Sequence, residues 1–129
     1  MNKEETYLLA VYGSLRKTYF NSWRLDYSEY VGDIKTAAKY TMRDLGGYPA
    51  ILADGEVAIH CEVYRVSRYD FIEIGRMEMS AGYKIKSIDT KYGKACLYLF
   101  DYPKEVAYCR EVTDGNWKEP KRRSRIRGA

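Results

Sequence analysis

Apolar and polar positions along this chain follow two rhythms, one of period two and one of period three to four, and the points where they change mark the elements. Residues 6–12, Thr-Tyr-Leu-Leu-Ala-Val-Tyr, form a compact apolar run stopped by Gly13-Ser14, the pattern of a buried strand feeding a turn. Phe20, Trp23, Tyr27 and Tyr30 then recur at helical spacing, which predicts a short helix over 19–30, although aromatic residues favour helices only modestly. Residues 37–42 predict a strand. Leu45-Gly46-Gly47-Tyr48-Pro49-Ala50-Ile51 predicts a glycine-rich turn into another extended segment, since the residue before a proline avoids the helical region. Asp54-Gly55 reads as a hairpin turn. Over 58–66, Ile59, Cys61 and Val63 alternate with His60, Glu62 and Tyr64, as in a strand covered mainly on one face.

The period lengthens at Ser67, an N-cap candidate with Asp70 three residues on. Phe71, Ile74, Met77 and Glu78 follow at helical intervals, which predicts an amphipathic helix ending near Gly82. Strands are expected over 83–88 and 94–100, with a last short one near 106–112 ahead of Asp114-Gly115-Asn116-Trp117. Strands outnumber helices by about three to one, and the main helix interrupts the strand series instead of alternating with each strand. The expected class is therefore α+β, a small, mixed, curled and barrel-like sheet with one main helix.

A length of 129 residues supports a single core without disulfides or a structural metal. The chain is 46% hydrophobic and 31% charged, and no run approaches the roughly 20 apolar residues that span a bilayer. The Met-Asn-Lys-Glu-Glu start lacks the pattern of a secretory signal, so a cytoplasmic location is expected. Cys61, Cys96 and Cys109 are odd in number and widely spaced, which fits reduced thiols. His60 is the single histidine and has no partners at ligand spacing, so it reads as a strand residue and no metal is expected.

The net charge of +4 conceals a division. Residues 118–129 hold six basic residues and one acid, a net +5, which leaves −1 for the rest. We therefore divide the chain into a domain over 1–119 and a basic, flexible tail over 120–129 that has no apolar set to pack. The tail lacks interleaved aromatics, so it reads as a solvated end more than as a nucleic-acid or polyanion site.

Several separated pieces line up in the order found in one family. Val11-Tyr12-Gly13-Ser14-Leu15-Arg16, with Asn21 downstream, resembles the first-strand signature of the gamma-glutamylcyclotransferase-like (AIG2-like) proteins. Leu45-Gly46-Gly47-Tyr48-Pro49-Ala50 and Glu62-Val63-Tyr64-x-Val66 resemble the next two pieces, with Cys61 in place of a glycine. Phe71-x-x-Ile74-Gly75-x-Met77-Glu78 and then Gly82-Tyr83 are similar to its helix end, with Gly75 in place of a usual aspartate. Ala95-x-Leu97-Tyr98 and Gly115-Asn116-Trp117 resemble its late elements.

The resemblance implies cyclisation of a gamma-glutamyl amine or peptide, in which the substrate's own alpha-amine attacks its side-chain carbonyl to release 5-oxoproline and a free amine, without a cofactor. Glu78 falls on the family's acid/base glutamate, and its neighbours Met77 and Met79 offer a setting that raises a carboxyl pKa. Gly13, Ser14 and Leu15 provide backbone N–H groups for the substrate's carboxylate and carbonyl, because glycine allows close approach. Arg16 offers a charge-assisted contact. Tyr12, Tyr48, Tyr83 and Tyr98 are candidate pocket walls. The alternative for the same pocket is a non-catalytic module for a small anionic or amino-acid-like ligand.

Overall fold

The computed structural model describes residues 5–120. Eight strands, two short 3-10 turns and one α-helix follow in the order β1 (Thr6–Val11), a 3-10 turn (Ser22–Leu25), β2 (Glu29–Lys35), β3 (Tyr40–Asp44), β4 (Pro49–Val57), β5 (His60–Ser67), α1 (Arg68–Ser80), β6 (Tyr83–Thr90), β7 (Gly93–Phe100), a second 3-10 turn (Pro103–Val106) and β8 (Arg110–Glu111). The strands make two sheets, a five-stranded one in the order β2-β5-β1-β7-β6 and a three-stranded one in the order β4-β3-β8. This is the expected α+β class with a mixed sheet, since β1 pairs antiparallel with β5 and parallel with β7. Among the described residues neither ladder returns on itself, so the expected barrel-like sheet is not shown as a closed barrel.

The central position of β1 explains its unbroken apolar run. Leu8, Ala10 and Tyr12 enter a core shared with Met42, Ile51 and Trp117, and Leu9 and Val11 enter a second core with Ile74 and Tyr83. Strand β7 divides in the same way, with Ala95, Leu97 and Leu99 on one face and Tyr98 and Phe100 on the other. A strand covered on both faces needs apolar residues at every position, whereas β5 leaves Arg65 exposed.

Helix α1 starts as its sequence requires. The Ser67 Oγ accepts the Asp70 N–H at 3.1 Å, which satisfies one of the free donors of the first turn. The helix ends before Gly82, whose φ of +98° is a backbone conformation that glycine adopts without strain. Ile74 is its buried anchor, and Phe71 stacks on Tyr7 with ring centroids 4.4 Å apart.

Three expectations are corrected. The helix over 19–30 is a four-residue 3-10 turn followed by β2. Phe20, Trp23, Tyr27 and Tyr30 are all exposed, so their spacing marks no packed face, and Val31 and Ile34 pack against the core from the strand. Asp54-Gly55 lies inside β4 instead of turning the chain. The β3–β4 register shifts there, and a Cβ on Gly55 would stand 2.3 Å from the Tyr40 carbonyl oxygen. The strand near 106–112 shrinks to Arg110–Glu111, because a 3-10 turn begun by Pro103 occupies the approach.

All three cysteines are free, and burial pushes the Cys61 thiol up to about 12. Among the described residues no helix is long and apolar enough to cross a membrane, and no group of three or more His, Cys, Asp or Glu is placed to hold a metal ion. The basic tail falls, except for Pro120, outside the described residues.

Candidate active site

The loop that leaves β1 is built by its own hydrogen bonds. The Arg16 N–H donates to the Gly13 carbonyl at 3.0 Å, and Asn21 returns to Ser14 twice, through its backbone N–H to the Ser14 carbonyl at 2.8 Å and through Nδ2 to Oγ at 2.9 Å. Among the described residues no internal acceptor takes up the N–H groups of Ser14 and Leu15. The loop also lies tight against the next glycine-rich segment. A Cβ on Gly13 would sit 2.7 Å from Pro49 Cδ, closer than side chains tolerate.

One cavity of about 670 Å³ opens between this loop and the end of α1. Tyr12, Gly13, Ser14, Leu15 and Asn21 line it from the loop, Tyr48 and Pro49 from the turn into β4, and Met77, Glu78 and Ala81 from the helix end. Tyr83 and Tyr98 complete it from β6 and β7. The early loop and the late glutamate, 64 positions apart in sequence, therefore share one space.

Glu78 keeps part of its carboxyl open to this cavity but is otherwise surrounded by protein. Burial raises its pKa from 4.5 to about 7, and the positive charge of Arg24 pulls the other way without cancelling it. Arg24 belongs to the first 3-10 turn, which packs on α1. Among the described residues no hydrogen bond is donated to the Glu78 carboxyl, so its oxygens remain for whatever enters the cavity. A buried acid with a pKa near neutrality can both accept and return a proton at working pH.

The tyrosines form walls more than acids. Tyr12 donates its hydroxyl to the Tyr98 carbonyl oxygen, and Tyr83 donates to the Pro49 carbonyl oxygen, both at 2.5 Å. Burial raises the pKa of both well above the ordinary value, and the charge of Glu78 adds to the rise. The Tyr98 hydroxyl lies against α1, 3.1 Å from where a Cβ on Gly75 would stand. That contact accounts for a glycine in mid-helix, where it costs about 1 kcal/mol relative to alanine.

Arg16 is the exception among the expected site residues. Its Nε pairs with Glu62 Oε2 at 3.2 Å, and its Nη1 donates to Asn116 Oδ1 at 2.8 Å and to the Trp117 carbonyl oxygen at 3.1 Å. The guanidinium does not line the cavity. Three acceptors from β5 and the C-terminal segment engage it, so that in this structure it clamps the loop to those two segments. The same segment brings Glu119 and Pro120, which the sequence did not flag as site residues, to the cavity. Trp117 is buried and donates Nε1–H to Asp44 Oδ1 at 3.1 Å, and beyond it Glu119 and Pro120 reach the cavity beside Phe20. Nothing local in Lys118-Glu119-Pro120 signals this, because the segment is placed by Trp117 and Arg16.

A largely buried carboxyl and the backbone amides of Ser14 and Leu15 thus border one tyrosine-walled cavity. Comparison with known proteins names the family: the model for gamma-glutamyl cyclotransferase, AIG2-like, matches residues 9–119, and the chain belongs to that family. A relative from Vibrio cholerae is 33% identical over 95 residues, 73% of this chain and 82% of its own length. A gamma-glutamylcyclotransferase family protein, YtfP of Citrobacter rodentium, is 32% identical over 84% of this chain and 93% of its own. The solution structure of YtfP from Escherichia coli has a TM-score of 0.70 at 31% identity, over 85% of this chain and 95% of that one.

Proposed function

We propose that the chain is a gamma-glutamylcyclotransferase that releases 5-oxoproline from gamma-glutamyl amines or gamma-glutamyl peptides, with Glu78 as general acid/base and the loop from Tyr12 to Leu15 as substrate cradle. The observation that carries this reading is that Glu78, with a pKa of about 7, and the free N–H groups of Ser14 and Leu15 border one cavity. The substrate's alpha-carboxylate and side-chain carbonyl are held by the loop amides, which need no reorganisation as charge develops on oxygen. Glu78 takes a proton from the alpha-ammonium, the freed amine bonds to the side-chain carbonyl carbon, and the bond from that carbon to the leaving nitrogen breaks. Glu78 returns its proton to the leaving nitrogen, and the second ammonium proton exchanges through solvent, so the products are 5-oxoproline and a protonated amine. Holding the substrate folded on itself contributes as well, since oriented intramolecular attack lowers a barrier by roughly 7 to 11 kcal/mol.

The test is 5-oxoproline release from a panel of gamma-glutamyl amines, gamma-glutamyl dipeptides and glutathione, with E78Q alongside. Turnover should fall by about 10²- to 10⁴-fold in E78Q, the usual weight of a lost acid/base. A wild type that binds panel members without releasing 5-oxoproline refutes catalysis and leaves a binding module.

A further inference from the structure

The charge of the cavity bears on which amine leaves. Glu78 and Glu119 are its charged lining residues, and among the described residues no lysine or arginine lines it. Arg16, the basic residue next to the loop, is engaged with Glu62, Asn116 and Trp117. Glu119 is fixed by its Oε2, which accepts the Phe20 N–H at 2.8 Å, and among the described residues no cation stands within ion-pair distance of it. Its other oxygen is left for a ligand. The aromatic residues at this edge are open to solvent, Phe20 at 62% and Tyr48 at 47% exposure.

These positions give the substrate a direction. The glutamyl half belongs at the loop amides with its reacting carbonyl by Glu78, so the amine half extends from the leaving nitrogen toward the outer part of the cavity, where Glu119, Phe20 and Tyr48 stand. We propose, resting on the cyclotransferase reading, that this chain is selective for gamma-glutamyl amines whose amine half carries a positive charge, with Glu119 as the residue that reads that charge. A cationic aminoalkyl group meets the Glu119 carboxylate and the exposed ring of Tyr48, both of which attract it. A gamma-glutamyl peptide instead brings a second carboxylate into a cavity lined by acids, a like-charge arrangement that selects against it.

The experiment uses the full chain and three gamma-glutamyl amides of matched length, those of diaminobutane, butylamine and aminobutyrate, which differ in the charge of the amine half. Wild-type kcat/KM for 5-oxoproline release should rank cationic above neutral above anionic. In E119Q, which keeps an acceptor for the Phe20 N–H, the cationic-to-neutral ratio should shrink by roughly three- to fivefold, the weight of a partly exposed ion pair. In E119K the anionic compound should overtake the cationic one. Ratios that are unchanged in E119Q, or an anionic compound preferred by the wild type, overturn the proposal. If no compound yields 5-oxoproline, the cyclotransferase reading fails separately, and calorimetric affinities of the three compounds for wild type and E119Q then decide. The same charge order, flattened in E119Q, supports the role of Glu119, and a wild type with no charge order overturns it.

Discussion

Replacing Glu78 with glutamine should inactivate the protein and, above neutral pH, stabilise it. Burial raises the folded-state pKa of Glu78 from 4.5 to about 7, so the folded chain holds this proton more tightly than the unfolded chain does. For a carboxyl shifted in this direction, its favourable contribution is complete below the unfolded value and is lost as pH rises through the folded one. At about 1.4 kcal/mol per pH unit the shift corresponds to roughly 3 kcal/mol, all of it charged-carboxylate burial that glutamine avoids. The stability difference between E78Q and wild type should therefore be small at pH 4.5, open between pH 4.5 and 7, and level off above that. Urea denaturation of both proteins across this range, followed by tryptophan fluorescence, measures it, and the plateau corresponds to about 10 °C in Tm. A difference that is flat with pH, or that favours the wild type at pH 8, refutes the claim that Glu78 is held in a desolvating site.

Two further changes probe the scaffold of the cavity. Asn21→Ala removes the Nδ2 bond to Ser14 Oγ while Asn21 keeps its backbone bond, so stability should fall by only about 1 kcal/mol, and steady-state assays should show a larger relative loss in kcat/KM. An unchanged kcat/KM contradicts the loop's role. Arg16→Ala takes the cation from Glu62, at 13% exposure, which keeps only the Lys17 N–H and the Tyr64 hydroxyl on its Oε1, and unpins Asn116 and Trp117, which should cost about 2 kcal/mol in denaturation. If Arg16 instead bound substrate, this variant would lose affinity without losing stability.

The parts of the fold that were legible in the sequence are those whose burial is decided by neighbouring residues. Strands β1, β5, β6 and β7 and helix α1 announce themselves through apolar runs, alternation and a capped start at Ser67, because each presents its own apolar set to a core. The segment around Phe20, Trp23 and Tyr27 misleads for the opposite reason, since exposed aromatics copy the spacing of a helix face without packing as one. Gly55 resembles a turn residue but serves the close approach of β3. Glu78 and the Tyr12–Leu15 loop stood out through family-like motifs. The direction of the Arg16 side chain was not legible because the partners that turn it lie 46 to 101 positions away. Glu119 was missed because only the anchoring of Trp117 carries that segment to the cavity.

The most direct test of Glu78 as the proton carrier is the pH dependence of wild-type kcat/KM for 5-oxoproline release between pH 5 and 8. With the carboxylate as the active form, the rate should fall tenfold for each unit below a midpoint of about 7, at the same pH where the stability difference from E78Q levels off. A rate that holds constant down to pH 5 would contradict it.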